Sequence, residues 1–180
     1  MTDKERGLGL VKDLDVFFTE DDKKTIKVRV VHFNGIKSDL TEVGFSVAQI
    51  LQVVIRVAVN NTQFAIIEEP EANLHPKLQA RLADMIIEAY REFGTRFIIE
   101  THSEYFIRKL QFHTANKFIT PEDTALYYLY DPQNPPTNGD PQVKRLRIGE
   151  DGKLDGKFGE GFFDESTRLM MDMYRLNNNA

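Results

Sequence analysis

Two short stretches hold the side chains best suited to chemistry. Residues 64–71 read FAIIEEPE, an apolar run ending in Glu68, Glu69 and, after Pro70, Glu71. Residues 96–103 read RFIIETHS, an apolar run ending in Glu100, Thr101, His102 and Ser103. Adjacent carboxylates at the end of a buried strand are unusual, because burying an unpartnered charge is costly. Successive strand residues point to opposite faces, but a bend at the strand end can turn both Glu68 and Glu69 toward one crevice. There, one carboxylate can hold Mg2+ through water, and the next can orient and deprotonate an attacking water. The same residues equally fit a solvated acidic turn that leads into a helix. His102 follows an apolar strand and opens a helix. An imidazole there can donate to a phosphate or polarise a water, assisted by the positive helix N-terminus. Taken alone, it reads rather as a histidine that caps its local backbone. His75 suits the cap of a helix beginning at Pro76. His32 and His113 carry less, and no two histidines lie at i, i+4 beside a glutamate, so a zincin-type zinc site is not supported.

These residues need elements to position them. The apolar runs Phe64 to Ile67 and Arg96 to Ile99 lack alternation, which predicts strands covered on both faces. Between them, Leu78, Leu82, Met85, Ile86, Ala89, Tyr90 and Phe93 recur at helical spacing, with Pro76 at the first turn and Gly94 at the stop. Ser103 to Phe112 predicts a second helix with Ser103 as its N-cap. Thr124 to Tyr130 predicts a third central strand. The order strand, helix, strand, helix, strand is a βαβαβ unit with parallel strands, and ligands bind at the carboxyl ends of such strands. Upstream, residues 15–19 and 25–33 flank the charged turn Glu20 to Lys24 and predict a β-hairpin. Ser46 to Val59 is rich in β-branched residues but places Gln49, Gln52 and Arg56 on one helical face, and is read as a buried helix. Gln142 to Ile148 predicts an edge strand, and Asp164 to Tyr174 a terminal helix with Leu169, Met170 and Met173 on its apolar side. Residues 131–141 hold four of the seven prolines, and residues 149–161 are rich in glycine, so both are turns or connections.

Composition narrows the function. The 180 residues include 23 basic and 28 acidic side chains, a formal net charge of −5. A sequence pI near 5.4 does not favour a dedicated nucleic-acid binder. With 13 Phe and 6 Tyr, the chain can build a core, and disorder is not expected. There is no run of 18 apolar residues and no apolar leader, so neither a membrane span nor a secretory signal is expected. Cysteine is absent, which excludes disulfides and thiolate metal sites and fits a cytoplasmic protein.

The glutamate and histidine clusters together carry a resemblance. Phe64 to Pro76 (FAIIEEPEANLHP) resembles the Walker B strand and D-loop of ATPases of the ATP-binding-cassette and chromosome-maintenance (SMC) type. Ile98 to Ser103 (IIETHS) resembles their switch-histidine loop, and Thr41 to Gln49 (TEVGFSVAQ) is similar to their signature motif. The match is with a bacterial group of AAA-class ATPases carrying a C-terminal domain of unknown function, some of whose relatives serve in anti-phage defence. Their tail resembles Gly149 to Glu165. The resemblance implies an α/β fold of the three-layer, P-loop-NTPase (ABC-like) kind, with a partial parallel sheet, helices and an N-terminal β-hairpin. It divides the chain into an ATPase part at 1–148 and an extension at 149–180. It further implies ATP and Mg2+ as ligands, Glu68 as the Walker B acid toward Mg2+, Glu69 as the catalytic glutamate and His102 as the sensor of the γ-phosphate. Gly44, Phe45 and Ser46 would reach the nucleotide of a partner subunit in a homodimer. Gly44 stands where the signature serine is usual, and no D-loop aspartate stands at Asn73 to His75.

One motif of that resemblance is missing. No G-x-x-x-x-G-K-[ST] occurs, and Gly7-Leu8-Gly9 is followed by no suitable lysine. A phosphate cradle needs both glycines and lysine. The sequence therefore predicts the C-terminal half of an ATPase, inactive until a Walker A segment completes it. It also predicts a gap in the sheet that leads to self-association or to reliance on the missing half. Two other functions remain open: a non-catalytic scaffold module of a defence or DNA-related complex, and a metal-dependent nuclease using Glu68, Glu69, Glu71 and Glu100.

Overall fold

The computed structural model describes residues 12–18, 26–59, 64–136 and 139–178. The charged turn Glu20 to Lys24 and the glycines Gly7 and Gly9 lie outside the described residues. Two units form, one over residues 1–106 and one over residues 107–180.

In the first unit, β1 (Asp13–Phe18) and β2 (Ile26–Val31) pair antiparallel, with Asp13 opposite Val31 and Phe18 opposite Ile26. This is the expected hairpin. A short β3 (Lys37–Asp39) adds to the far side of β2. Ion pairs reinforce the register across the strands. Arg29 Nε lies 2.8 Å from Asp39, and Lys37 Nζ 2.7 Å from Asp15. α1 (Phe45–Val59) follows, so the β-branched segment is a helix. Burial decides between helix and strand here. Ile50, Leu51 and Val53 are buried while Gln52 faces solvent, the spacing of a helix set against a core.

β4 (Phe64–Glu68) and β5 (Arg96–Glu100) run parallel in direct register, Phe64 beside Arg96 and Glu68 beside Glu100. The crossover is α2 (Pro76–Phe93). Its ends are those the sequence predicts. The His75 side chain accepts the Lys77 N–H, Pro76 takes the first turn, and Gly94 adopts φ 69° and returns its N–H to Tyr90 O. Leu82, Ala83, Ile86, Ile87 and Ala89 bury the inner face of α2.

One expectation is corrected. β4 and β5 are not covered on both faces. Ile66 is 68% and Ile98 54% exposed, whereas Ala65, Ile67, Phe97 and Ile99 are half-buried. An unbroken apolar run permits either face to be covered, and here no described element covers the second. Among the described residues the parallel sheet has two strands.

α3 (Glu104–Ala115) begins in the first unit, and the boundary falls within it. In the second unit, a short 3-10 turn (Pro121–Asp123) leads to β6 (Leu126–Leu129). β6 pairs antiparallel with β7 (Val143–Leu146) in a separate two-stranded sheet. This corrects the third central strand of the predicted βαβαβ unit: Tyr127 and Leu129 face solvent, 57% and 68% exposed. Strand order in a sheet is a long-range property that a chain-order pattern does not contain. The glycine-rich segment then packs on this unit. Gly152 adopts φ 77° and comes so close to α3 that a Cβ would stand 2.6 Å from Gln111 O. Tyr128, Phe158, Phe162 and Phe163 form an aromatic cluster with ring centroids 4.7–5.8 Å apart. α4 (Glu165–Asn178) is the expected terminal helix, but Leu169, Met170 and Met173 are exposed rather than packed. Among the described residues no helix is long and apolar enough to cross a membrane.

Candidate functional site

The site lies at the carboxyl ends of β4 and β5. Glu68 and Glu100 stand side by side in register on the exposed face. Glu69 leaves the strand with φ 42°, a left-handed conformation that a glutamate adopts only at a cost of about 1–2 kcal/mol. Its N–H still donates to Glu100 O at 2.9 Å, so the backbone bends while held to the neighbouring strand. Such a bend lets both glutamates face one crevice. Glu68 and Glu69 do line one, an open depression of about 330 Å3 shared with Gln49, Ala72 and Glu100.

His102 meets the same loop from β5. Its Nε2 lies 3.2 Å from Glu69 Oε1, with the side chains 72% and 51% exposed. An exposed pair of this kind adds about 0–1 kcal/mol to stability, so it is a poor device for holding the fold together. It does leave a carboxylate and an imidazole adjacent and open to a ligand.

The loops beneath are held more firmly. Glu71 is buried, 5% exposed, and its Oε1 accepts both the Thr101 hydroxyl at 2.6 Å and the His102 N–H at 2.8 Å. Ser103 caps α3, its hydroxyl oxygen accepting the Phe106 N–H at 3.1 Å and its proton going to Gln79 Oε1 at 2.6 Å. Gln79 in turn donates to Leu74 O at 2.9 Å. The turn between Glu69 and His75 is thus tied to the turn after β5 by side chains from both. In the sequence Glu71 is only one more carboxylate of the acidic cluster, and Gln79 belongs to no motif. A glutamine inside an otherwise amphipathic helix was the available signal for the latter.

The signature-like residues sit at the start of α1. The Gly44 carbonyl accepts the Val47 and Ala48 N–H groups, which makes Gly44 the N-cap. Phe45 and Ser46 are the first residues of the helix, and their side chains lie outside the described set. Of this segment, Gln49, one turn further on, reaches the depression.

The donor set suits one class of metal. Among the described residues no group of three His, Asp or Glu side chains is close enough to hold an ion by itself. Two neighbouring carboxylates beside an open depression match Mg2+, which keeps most of its waters and is shared between one or two carboxylates and phosphates.

Residues 10–107, more than half of the chain, match the family described as AAA ATPase domain. Residues 119–173 match a protein family of unknown function, DUF3696. No curated protein matches the sequence. A solved structure from work on the structural biochemistry of ATP-driven dimerisation and DNA-stimulated activation of SMC ATPases is similar in fold, with a TM-score of 0.56 at 9% identity. The similarity covers 93% of this chain and 84% of that one, so the two are of comparable length. The mixed α/β architecture is therefore similar to that of the SMC ATPase structure, and the chain belongs to the AAA ATPase domain family, with a DUF3696 segment after it.

Proposed function

We propose that the chain is the part of an SMC-like ATPase that carries the hydrolytic residues, and that it works as a dimer closed by ATP and reset by hydrolysis. In this reading the Glu69 carboxylate orients the attacking water and takes its proton. His102 donates a hydrogen bond to the γ-phosphate, and Glu68 holds Mg2+ through water. The ion, when bound, neutralises charge on the phosphate oxygens. Gly44, Phe45 and Ser46 open α1, where the backbone N–H groups of a helix start favour a partner subunit's phosphate. The observation that carries the proposal is the meeting of Glu69 and His102 at the ends of two parallel strands, 3.2 Å apart and open to ligand.

No G-x-x-x-x-G-K-[ST] occurs in these residues, so in this reading another segment supplies the phosphate cradle. A bacterial setting and a role in anti-phage defence follow from the sequence resemblance, and a cytoplasmic one from a sequence without cysteine. The SMC work concerns ATP-driven dimerisation, which supports self-association here.

Calorimetry of ATP·Mg2+ with the 180-residue chain, with oligomeric mass recorded alongside, is the first test. Little or no binding is expected until a Walker A segment is supplied. In the completed ATPase, Glu69→Gln should cut turnover by about 10²–10⁴-fold and accumulate the ATP-bound dimer. Unchanged turnover in that variant rejects the role given to Glu69.

A further inference from the structure

We propose that Glu71 is a positioning residue that clamps the main chain of His102, so that the Glu69 and switch-histidine loops move as one body. The inference rests on the roles given above to Glu69 and His102, and concerns how that site is kept in register.

Three observations carry it. First, a loop glutamate has every opportunity to reach water, yet Glu71 is 5% exposed. A buried carboxylate persists only where donors compensate its desolvation. Second, the donors identified to it, the Thr101 hydroxyl and the His102 N–H, come from the turn after β5 rather than from its own turn. His102 therefore meets this loop at both ends: Glu71 takes its backbone N–H, and Glu69 Oε1 lies 3.2 Å from its imidazole. Third, only Pro70 separates the two carboxylate residues, and it is fully buried. Its ring fixes φ, so a displacement of Glu71 passes to Glu69 with little slack.

One atom remains unexplained by packing. Glu71 Oε2 is buried with no hydrogen-bond partner. A residue whose task was only to fill space or tie down a turn would be served by a side chain without an orphan oxygen. The carboxylate is better matched to holding a charge-assisted hydrogen bond on a backbone N–H, which is stronger than a neutral one.

The test uses two variants and two readouts. In the 180-residue chain, Glu71→Ala should speed exchange of the His102 amide proton by about tenfold or more, the loss of a hydrogen bond to a charged group. Glu71→Gln keeps a neutral acceptor at the Oε1 position and should restore only part of the protection. In the completed ATPase, Glu71→Ala should lower kcat with the KM for ATP unchanged, and Glu71→Gln should recover part of it. If Glu71→Ala fails to fold, Glu71→Asp, one methylene too short to reach the His102 N–H, is read in the same way. A folded Glu71→Ala protein with the His102 amide still protected and kcat intact overturns the proposal. So does a loss of thermal stability with no change in kcat. The two readings fail separately: full turnover in Glu69→Gln discards the ATPase roles and leaves the amide result standing, whereas an inactive Glu69→Gln beside an unaffected Glu71→Ala discards only the clamp.

Discussion

His102 Nε2 stands 3.2 Å from Glu69 Oε1, and the Glu69 backbone that presents this carboxylate sits at φ 42°. A left-handed glutamate at the end of a strand is held there by its surroundings. Its N–H is bound to Glu100 O, its carbonyl accepts the Ala72 N–H, and buried Pro70 follows it. Strain of this kind collects where a side chain must be aimed.

Replacing Glu69 by glycine therefore separates fold from function. Glycine adopts positive φ without the steric penalty but is more flexible when unfolded, and the two effects partly offset. Stability of Glu69→Gly should stay level or rise by up to about 1 kcal/mol. A urea melt checks this. A loss larger than about 1 kcal/mol would mean that the side chain, not the backbone, dominates the position.

Gly44 offers the opposite case. It caps α1 without positive φ, and a Cβ built on it meets nothing within 4 Å. Serine is the better N-cap by a few tenths of a kcal/mol. Gly44→Ser should fold as well as the parent, with a thermal midpoint equal or slightly higher. A lowered midpoint would show that the segment before α1 needs glycine for a reason other than space.

Alkaline pH should weaken the second unit. The Tyr130 hydroxyl donates to Asp140 at 2.8 Å, and Lys144 Nζ lies 2.7 Å from the same carboxylate. The hydrogen bond to Asp140 raises the Tyr130 pKa above its ordinary 10.0, and the same carboxylate raises that of Lys144 above 10.5. Raised folded values mean that the stabilisation is complete below the unfolded pKa and disappears as pH climbs through the folded one. The expected loss falls above about pH 10, and Asp140→Asn should abolish it. NMR titration of the Tyr130 ring carbon should give a midpoint above the ordinary tyrosine value. A midpoint at or below that value would contradict the contact.

Much of this molecule was present in its residue order. The 3.6-residue rhythm of Leu78 to Phe93, with proline at one end and glycine at the other, fixed α2 because a helix is a local structure. The hairpin of β1 and β2 was legible for the same reason, its strands being neighbours in the chain. The Glu68–Glu69 and His102 clusters were visible because ionisable residues ending two apolar runs stand out by type, although folding leaves them exposed rather than buried. Three things were decided only in three dimensions. Residue order did not show that β6 leaves the parallel pair for an antiparallel partner, or that one face of β4 and β5 stays open. It marked Glu71 as acidic, but only folding brought that carboxylate beneath the backbone of His102. Each of these depends on which segments meet after the chain has closed its loops. Local propensity has no term for that meeting, and burial and hydrogen-bond satisfaction settle it.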